Sequence, residues 1–346
     1  MEIILLRLDR IGDFILGIPA CRALRQAYPN DRITVVVPSD VAELAKACPF
    51  FDEVVIFDAL WLLPGWPFSD RWQSAWRLIK FLRSAKAGWV LNFRYQNRLD
   101  PLVAGLSGAP RRSGFDLGWV SRFLTDKVSP PDSGIHQVDR NLLLTKAVGV
   151  TGGDRKLEIW FDEHDKKTAE QYLPAQELLP GTPRIAVHIG AATPSKRWGE
   201  ESFEVLIHEL HALTQADILV LGGEKDLPFA HEVVDGLECP VINLVGKLTL
   251  RQMAVLMGHC QVFIGCDSGS SHLAAAVGVP VVSLFSAANE VEVWKPLGQK
   301  VKVLTKHPTC SPCKSYECKR DDGYFCMAEI KVEEVVQAVK DFLEKP

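Results

Sequence analysis

A two-part α/β fold with a parallel sheet in each part is predicted by three features of the 346-residue chain. Short apolar runs alternate with amphipathic stretches of helical period, the pattern of βαβ units. The alternation occurs twice, and the Pro/Gly passage LPGTP at 179–183 separates the two series. The length also exceeds what one hydrophobic core usually serves.

The first series opens with EIILLRL, a buried strand at 2–8. A helix over 14–28 follows from the spacing of Phe14, Ile15, Ile18, Ala20 and Leu24. RITVVVP gives a strand at 32–38, then a short helix at 39–48 and the strand EVVIFD at 53–58. A helix at 72–86 and the strand WVLNF at 89–93 complete the regular part. GAPRRSGF (108–115) and VSPPDSGI (128–135) read as loops from their Gly and Pro content, and 136–150 reads as a helix. A polar passage, 151–167, leads into a helical stretch at 165–179.

The second series places strands at 184–190, 217–223, 241–246, 262–267 and 281–286. Helices fit between them at 200–213, 225–236, 249–258 and 270–277, and KVEEVVQAVKDFLE (331–344) is an amphipathic C-terminal helix. Ligands of such sheets sit at the carboxyl ends of strands, so two Rossmann-like domains would place the site in a cleft between them.

Composition narrows the class. Hydrophobic residues make up 47% and charged residues 24%, as in soluble globular proteins. A net charge of −4 gives no global signal for nucleic acid. The opening MEIILLRLDRIGDF is too short in its apolar part for a signal peptide, and Arg7, Asp9 and Arg10 interrupt it. No apolar run approaches the ~18 residues of a membrane span. A cytoplasmic location is expected, and the nine cysteines then read as reduced thiols or metal ligands before disulfides.

Four strand-end segments can carry chemistry. In GCDSGSSHLAAAVGVPVVSLF (265–285) a strand runs through a small-residue turn into a helix. The free N–H groups and positive end of that helix suit a phosphate, and Ser268, Gly269, Ser270 and His272 can all donate there. Simple capping by Asp267 or Ser268 accounts for one residue of the cluster and not for the run. In HIGAATPSKRWGEESF (188–203), Lys196 can neutralise a diphosphate, or Lys196 and Arg197 can form a solvated basic turn; Trp198 would pack the loop down. His188 suits a core position. In LGGEKD (221–226), Glu224 either holds sugar hydroxyls or merely complements a helix dipole. In LDRIGDFILGIPA (8–20), Asp13 follows Gly12 where a phosphate loop would carry glycines. It either caps the next helix or serves as a base.

Together, RLDRIGDFILGIPA, HIGAATPSKRWGEESF, LGGEKD and CDSGSSHLAAAVGVPVVSLFS resemble the ADP-heptose:lipopolysaccharide heptosyltransferases of glycosyltransferase family 9, over nearly the whole chain. The resemblance implies a GT-B fold of two Rossmann-like domains. Residues 1–175 would bind the acceptor, 180–328 the nucleotide sugar, and 329–346 would pack back on the first domain. It implies an inverting transfer of a heptose or related sugar from an ADP-sugar to a lipopolysaccharide core or similar lipid-linked saccharide, without a required metal. Asp13 matches the family's general base, with Arg10 and Gly12 beside it on the acceptor side. Lys196 matches the diphosphate lysine, Glu224 the ribose-binding acid, and Asp267, Ser268, Gly269 and His272 the donor contacts. The family's hydroxyl residues near 191 and 192 are replaced by Ala191 and Ala192, with Thr193 adjacent. Transfer from another nucleotide sugar, sugar epimerisation on the same fold, and nucleotide-sugar binding without turnover are the alternatives. Asp13 argues against the last, since binding alone needs no base. A monomer is expected.

Three further features stand apart. WLLPGWPFSDRWQSAW (61–76) has four tryptophans, which suit either a peripheral contact with the inner face of a membrane or aromatic packing. Arg111 and Arg112 either meet an anionic acceptor or lie in a solvated loop. Cys310, Cys313, Cys318 and Cys326 could hold a structural zinc, although only the first pair has ribbon spacing; packed thiols or a disulfide are the alternatives.

Overall fold

Strands that are apolar on both faces must lie in a parallel sheet covered by helices on either side. β1 (Glu2–Leu6) is such a strand, with Ile3, Ile4, Leu5 and Leu6 all buried. It pairs in parallel with β2 (Arg32–Val37) on one side and β4 (Trp89–Asn92) on the other. With β3 (Glu53–Ile56), β5 (Arg111–Phe115) and β6 (Asp126–Val128), the sheet order is β3-β2-β1-β4-β5-β6. Its helices are α1 (Ile11–Ala27), α2 (Ala42–Ala47), α3 (Phe68–Ala85), α4 (Leu99–Gly105) and α5 (Gln137–Ala147). This computed structural model describes residues 1–62, 65–95, 99–173, 182–318, 320 and 325–344.

The second sheet repeats the same order with different strands. It comprises β7 (Arg184–His188), β8 (Asp217–Leu221), β9 (Ile242–Asn243), β10 (Val262–Cys266), β11 (Val281–Phe285) and β12 (Val301–Thr305). The sequence along the sheet is β12-β11-β10-β7-β8-β9, again parallel throughout. The helices are α6 (Glu163–Glu170), α7 (Glu200–Thr214), α8 (Leu227–Val234), α9 (Leu250–Gly258), α10 (Gly269–Val277), α11 (Val291–Trp294), α12 (Phe325–Ala328) and α13 (Val332–Glu344). In both sheets the order runs outward in opposite directions from a central pair, β1/β4 and β7/β10. Such reversal points open a crevice at the carboxyl ends of the strands.

Several expectations are corrected. The chain divides into Met1–Lys156 and Leu157–Pro346, earlier than a boundary near 180. The reason is α6, which packs on α9 while Arg251 pairs with Asp162 at 2.9 Å and with Asp165. Residues 174–181, including the end of the expected 165–179 helix and most of LPGTP, lie outside the described residues. The C-terminal helix α13 buries Val335, Val336 and Val339 in the second unit's core with Ile185 and Val262. GAPRRSGF is not a loop throughout: β5 starts at Arg111, directly after Pro110. The charges are tolerated in the strand because Arg111 stacks 4.0 Å over Trp89 and pairs with Asp126 at 2.9 Å. The sequence reading also lacks β6, β12 and α4. Finally, α1 begins at Ile11, so Asp13 lies inside its first turn and Arg10 takes the N-cap position.

One buried cation fixes how α1 leaves β1. The Arg7 side chain is buried beside Gly17 of α1, where an added Cβ would overlap the guanidinium. Its Nη1 donates to Asn141 Oδ1 of α5 at 3.3 Å. Alanine normally favours a helix over glycine by about 1 kcal/mol. Here Gly17→Ala is expected to destabilise the fold by about 3 kcal/mol, because it displaces a buried charge from its partners. Urea unfolding checks this, and an unchanged midpoint would contradict the tight seating of Arg7.

Candidate active site

At the carboxyl end of the first sheet, the loops after β1 and β4 meet in a network of buried charge. Arg94 follows β4; its Nη1 donates to Leu8 O at 3.0 Å and to Asp9 Oδ1 at 2.9 Å, and its Nε to Asp100 Oδ2 at 3.0 Å. Trp61 Nε1 donates to the other Asp100 oxygen at 3.0 Å. From the β1 side, Arg7 Nε lies 3.4 Å from Asp9 Oδ2, and Arg7 Nη2 donates to the Asp13 carbonyl. Two guanidiniums thus serve the Asp9 and Asp100 carboxylates, as buried charges require.

Asp13 is the acid left over. It is half-buried in the first turn of α1, and no hydrogen bond reaches its carboxylate among the described residues. Burial, reinforced by the charge of Asp9, raises its pKa to about 6, against the opposing pull of Arg94, Arg7 and Arg10. A carboxyl titrating there, partly open to solvent, is suited to take a proton near neutral pH. Arg10 is exposed at the N-cap, and Gly12 occupies the turn between them.

The second sheet holds a different arrangement at the corresponding place. Lys196 closes a short turn, Pro194–Lys196, beyond β7. Its Nζ lies 2.8 Å from Oδ2 of Asp267, which follows β10. Asn289, beyond β11, donates its Nδ2 to the same oxygen at 2.8 Å. An ionised carboxylate is acceptor-only, so Asp267 cannot donate to a phosphate. It can aim the ammonium, which keeps further N–H bonds for another anion. Ser268 takes the N-cap of α10 without a side-chain cap bond; its Oγ meets Ser270 Oγ at 2.7 Å. Ser271 Oγ donates to Cys266 O at 2.8 Å and ties the helix to β10. The leading N–H groups of α10, at Gly269 and Ser270, have no intrahelical acceptor and favour an anion. His272 is buried one turn in.

The neighbouring loops are braced from behind. Thr193 Oγ1 lies 3.1 Å from Ser195 Oγ, and Ser195 Oγ donates to Ser315 O at 2.8 Å. Trp198 is fully buried, donating to Ile330 O at 3.1 Å. Cys313 N–H donates to Ala287 O at 3.0 Å, so the cysteine-bearing loop holds the segment that presents Asn289. Cys310, Cys313, Cys318 and Cys326 line one small cavity of about 20 Å³ with Ala287 and Ala288. Burial, with the other three thiols adding, holds the Cys326 thiol above its ordinary value. Among the described residues no three His, Cys, Asp or Glu side chains are grouped to hold a metal ion.

Glu224 is exposed after β8 with no partner among the described residues; the acid held there is Asp226, which accepts from Gly223 N–H at 2.9 Å and lies 3.7 Å from Arg197. His188 is buried at the end of β7, and burial keeps its pKa below the ordinary value, so the imidazole is neutral. Arg111 and Arg112 begin β5, beside the starts of β4 and away from the carboxyl-end network. Arg112 is spent on backbone carbonyls, including Phe123 O at 2.7 Å. Of the residues that build the two networks, Arg94, Asp100 and Asn289 escaped the sequence reading, as did Asp226 beside Arg197. The signal for Arg94, Asp226 and Asn289 was position alone, each following a strand end; Asp100, inside α4, carried none.

Against known proteins, residues 75–323 match the family model for glycosyltransferase family 9 (heptosyltransferase). The chain is 28% identical over 297 residues to lipopolysaccharide heptosyltransferase 3 of Escherichia coli, covering 82% of this chain and 83% of that one. The glycosyl transferase family 9 structure from Veillonella parvula superimposes with a TM-score of 0.81 at 24% identity, covering 100% and 97% of the two chains. The E. coli ADP-heptose LPS heptosyltransferase II structure gives 0.77 at 20% identity, covering 100% and 99%.

The Asp13 carboxyl is expected to titrate near pH 6 by carbon-13 NMR. Asp9→Asn removes a like charge and frees Arg7 and Arg94 to act on Asp13, so its pKa should fall by about 1 unit or more. Because the folded pKa exceeds the unfolded one, stability from this group is complete below pH 3.8 and is lost as pH rises through about 6. An Asp9→Asn titration that does not move would contradict the network.

Proposed function

We propose that this chain, which belongs to glycosyltransferase family 9 and is a glycosyltransferase, moves a heptose from ADP-heptose to a lipopolysaccharide core saccharide by direct, inverting displacement. The observation that carries the reading is that one unit holds, at its strand-order reversal, an acid of raised pKa with no carboxylate hydrogen bond among the described residues, while the other holds an anion-suited lysine and helix terminus at its own. In this scheme the first unit takes the acceptor and the second the donor.

The acceptor hydroxyl oxygen attacks the anomeric carbon from the face opposite the diphosphate. The bond from that carbon to the β-phosphate oxygen breaks, and ADP leaves with the electron pair. The hydroxyl proton passes to the Asp13 carboxylate. Lys196 and the Gly269 and Ser270 N–H groups take up charge developing on the leaving diphosphate, a task fixed donors can perform without a metal ion. Asp267 and Asn289 act by aiming Lys196. His272 and Thr193 flank the diphosphate, and Glu224 reaches the ribose from beyond β8. Arg10 and Gly12 border the acceptor hydroxyl. Arg111 and Arg112 have no part in this scheme, since their bonds hold β5 in place. The cysteine cavity stands behind the donor loops; a structural ion there would brace them and enter no step.

The test is release of ADP from ADP-heptose, followed with and without a heptose-deficient lipopolysaccharide core and with EDTA present. Release that needs acceptor and survives EDTA is expected, with Lys196→Met weakening ADP binding by roughly a hundredfold. Conversion of the donor without acceptor would instead indicate an epimerase or hydrolase. A strict divalent-metal requirement would overturn the metal-free scheme.

A further inference from the structure

α3 has two unlike faces. Ala75, Leu78, Ile79 and Leu82 are buried against Ile4, Val36 and Val90 of the first sheet. On the other side Phe68, Trp72 and Trp76 recur every fourth residue, 74%, 39% and 47% exposed, with Trp66 just before them at 47%. Four-residue spacing makes them one stripe. The rings of Phe68 and Trp72 pack edge-on at 6.0 Å. Trp76 lies under two cations, Lys80 Nζ at 5.9 Å and Arg83 at 5.8 Å. Of the four tryptophans in this stretch, only Trp61 turns inward.

The charge along the same helix is one-sided. From residue 71 to 86 there is no Asp or Glu, while Arg77, Lys80, Arg83 and Lys86 are all exposed. This stands against a chain whose net charge is −4. We infer that this face of α3 is a docking surface for an anionic phospholipid bilayer, with Trp66, Phe68, Trp72 and Trp76 at headgroup depth and Lys80 and Arg83 on the lipid phosphates. Tryptophan beside Lys and Arg is the composition of a bilayer interface. A protein partner would instead favour a face depleted of lysine at its centre. The contact is peripheral: no helix among the described residues is long and apolar enough to cross a membrane.

The inference complements a lipid-linked acceptor, but it is tested without donor or acceptor, so it can fail while the transferase reading stands. The purified protein is sedimented with phosphatidylcholine vesicles, alone or mixed with phosphatidylglycerol, while tryptophan emission is recorded. Binding with a blue shift is expected only where phosphatidylglycerol is present. The pair Lys80→Glu/Arg83→Glu should weaken it by roughly a hundredfold, and Trp72→Ser/Trp76→Ser by roughly tenfold. Both should keep the native circular dichroism, because these side chains are exposed and the one hydrogen bond lost among the described residues is that from Arg83 Nε to Leu106 O at 2.9 Å. No vesicle binding, equal binding by the variants, or burial of this face in a dimer seen by ultracentrifugation would each overturn it.

Discussion

The first unit depends on keeping five charged groups together where β1 and β4 end. Buried charge is tolerable only when paired, and here the pairing is nearly complete. Arg94 joins Asp9 to Asp100, while Arg7 supports Asp9 and the backbone of Asp13. The two arginines balance two of the three acids, and among the described residues Asp13 is the one without a counterpart. Its pKa is raised by burial first and by the Asp9 charge second, with Arg94, Arg7 and Arg10 pulling the other way. The same constraint explains Gly17, which yields its side-chain volume to Arg7, and Asn141, which reaches across from α5 to both Arg7 and Leu16.

The second unit uses the same strand order for a different electrostatic task. Its reversal point brings the loop after β7 against the turn after β10, and the junction is Lys196 on Asp267. Here the excess is of donors: an ammonium, an amide and the leading N–H groups of α10. One topology thus supports a site that holds a spare negative charge and a site that holds spare donors. The bracing is local in each case. Trp61 steadies the first through Asp100, and Ser195, with the loop bearing Cys313, steadies the second.

Much of this was legible in the chain. The apolar runs marked nine strands, and seven of these are buried on both faces, which leaves no room for alternation. The turn DSGSSH was legible because small residues before a helix have few other uses. Asp13 was readable as an acid in an odd place, but not its surroundings, since Arg94 joins it from 81 residues away through the pairing of β4 with β1. Arg111 was misread because charged residues after a proline look like a loop, and only the Trp89 ring and Asp126 make them a strand. The C-terminal helix was legible as amphipathic; which core receives its apolar face is a tertiary fact. β6 and β12 mark the other limit: edge strands bury less, and their sequences carry a weaker pattern.

The central claim is that the Asp13 carboxylate, and not merely its shape at the head of α1, drives the reaction. Asn preserves the shape and the hydrogen-bonding reach but cannot accept the proton. The decisive measurement is the single-turnover rate of heptose transfer by Asp13→Asn at pH 8, with ADP affinity measured calorimetrically on the same sample. A rate lower by roughly a thousandfold or more with unchanged ADP affinity is the result this account requires. Transfer within a few-fold of the unaltered protein would contradict it.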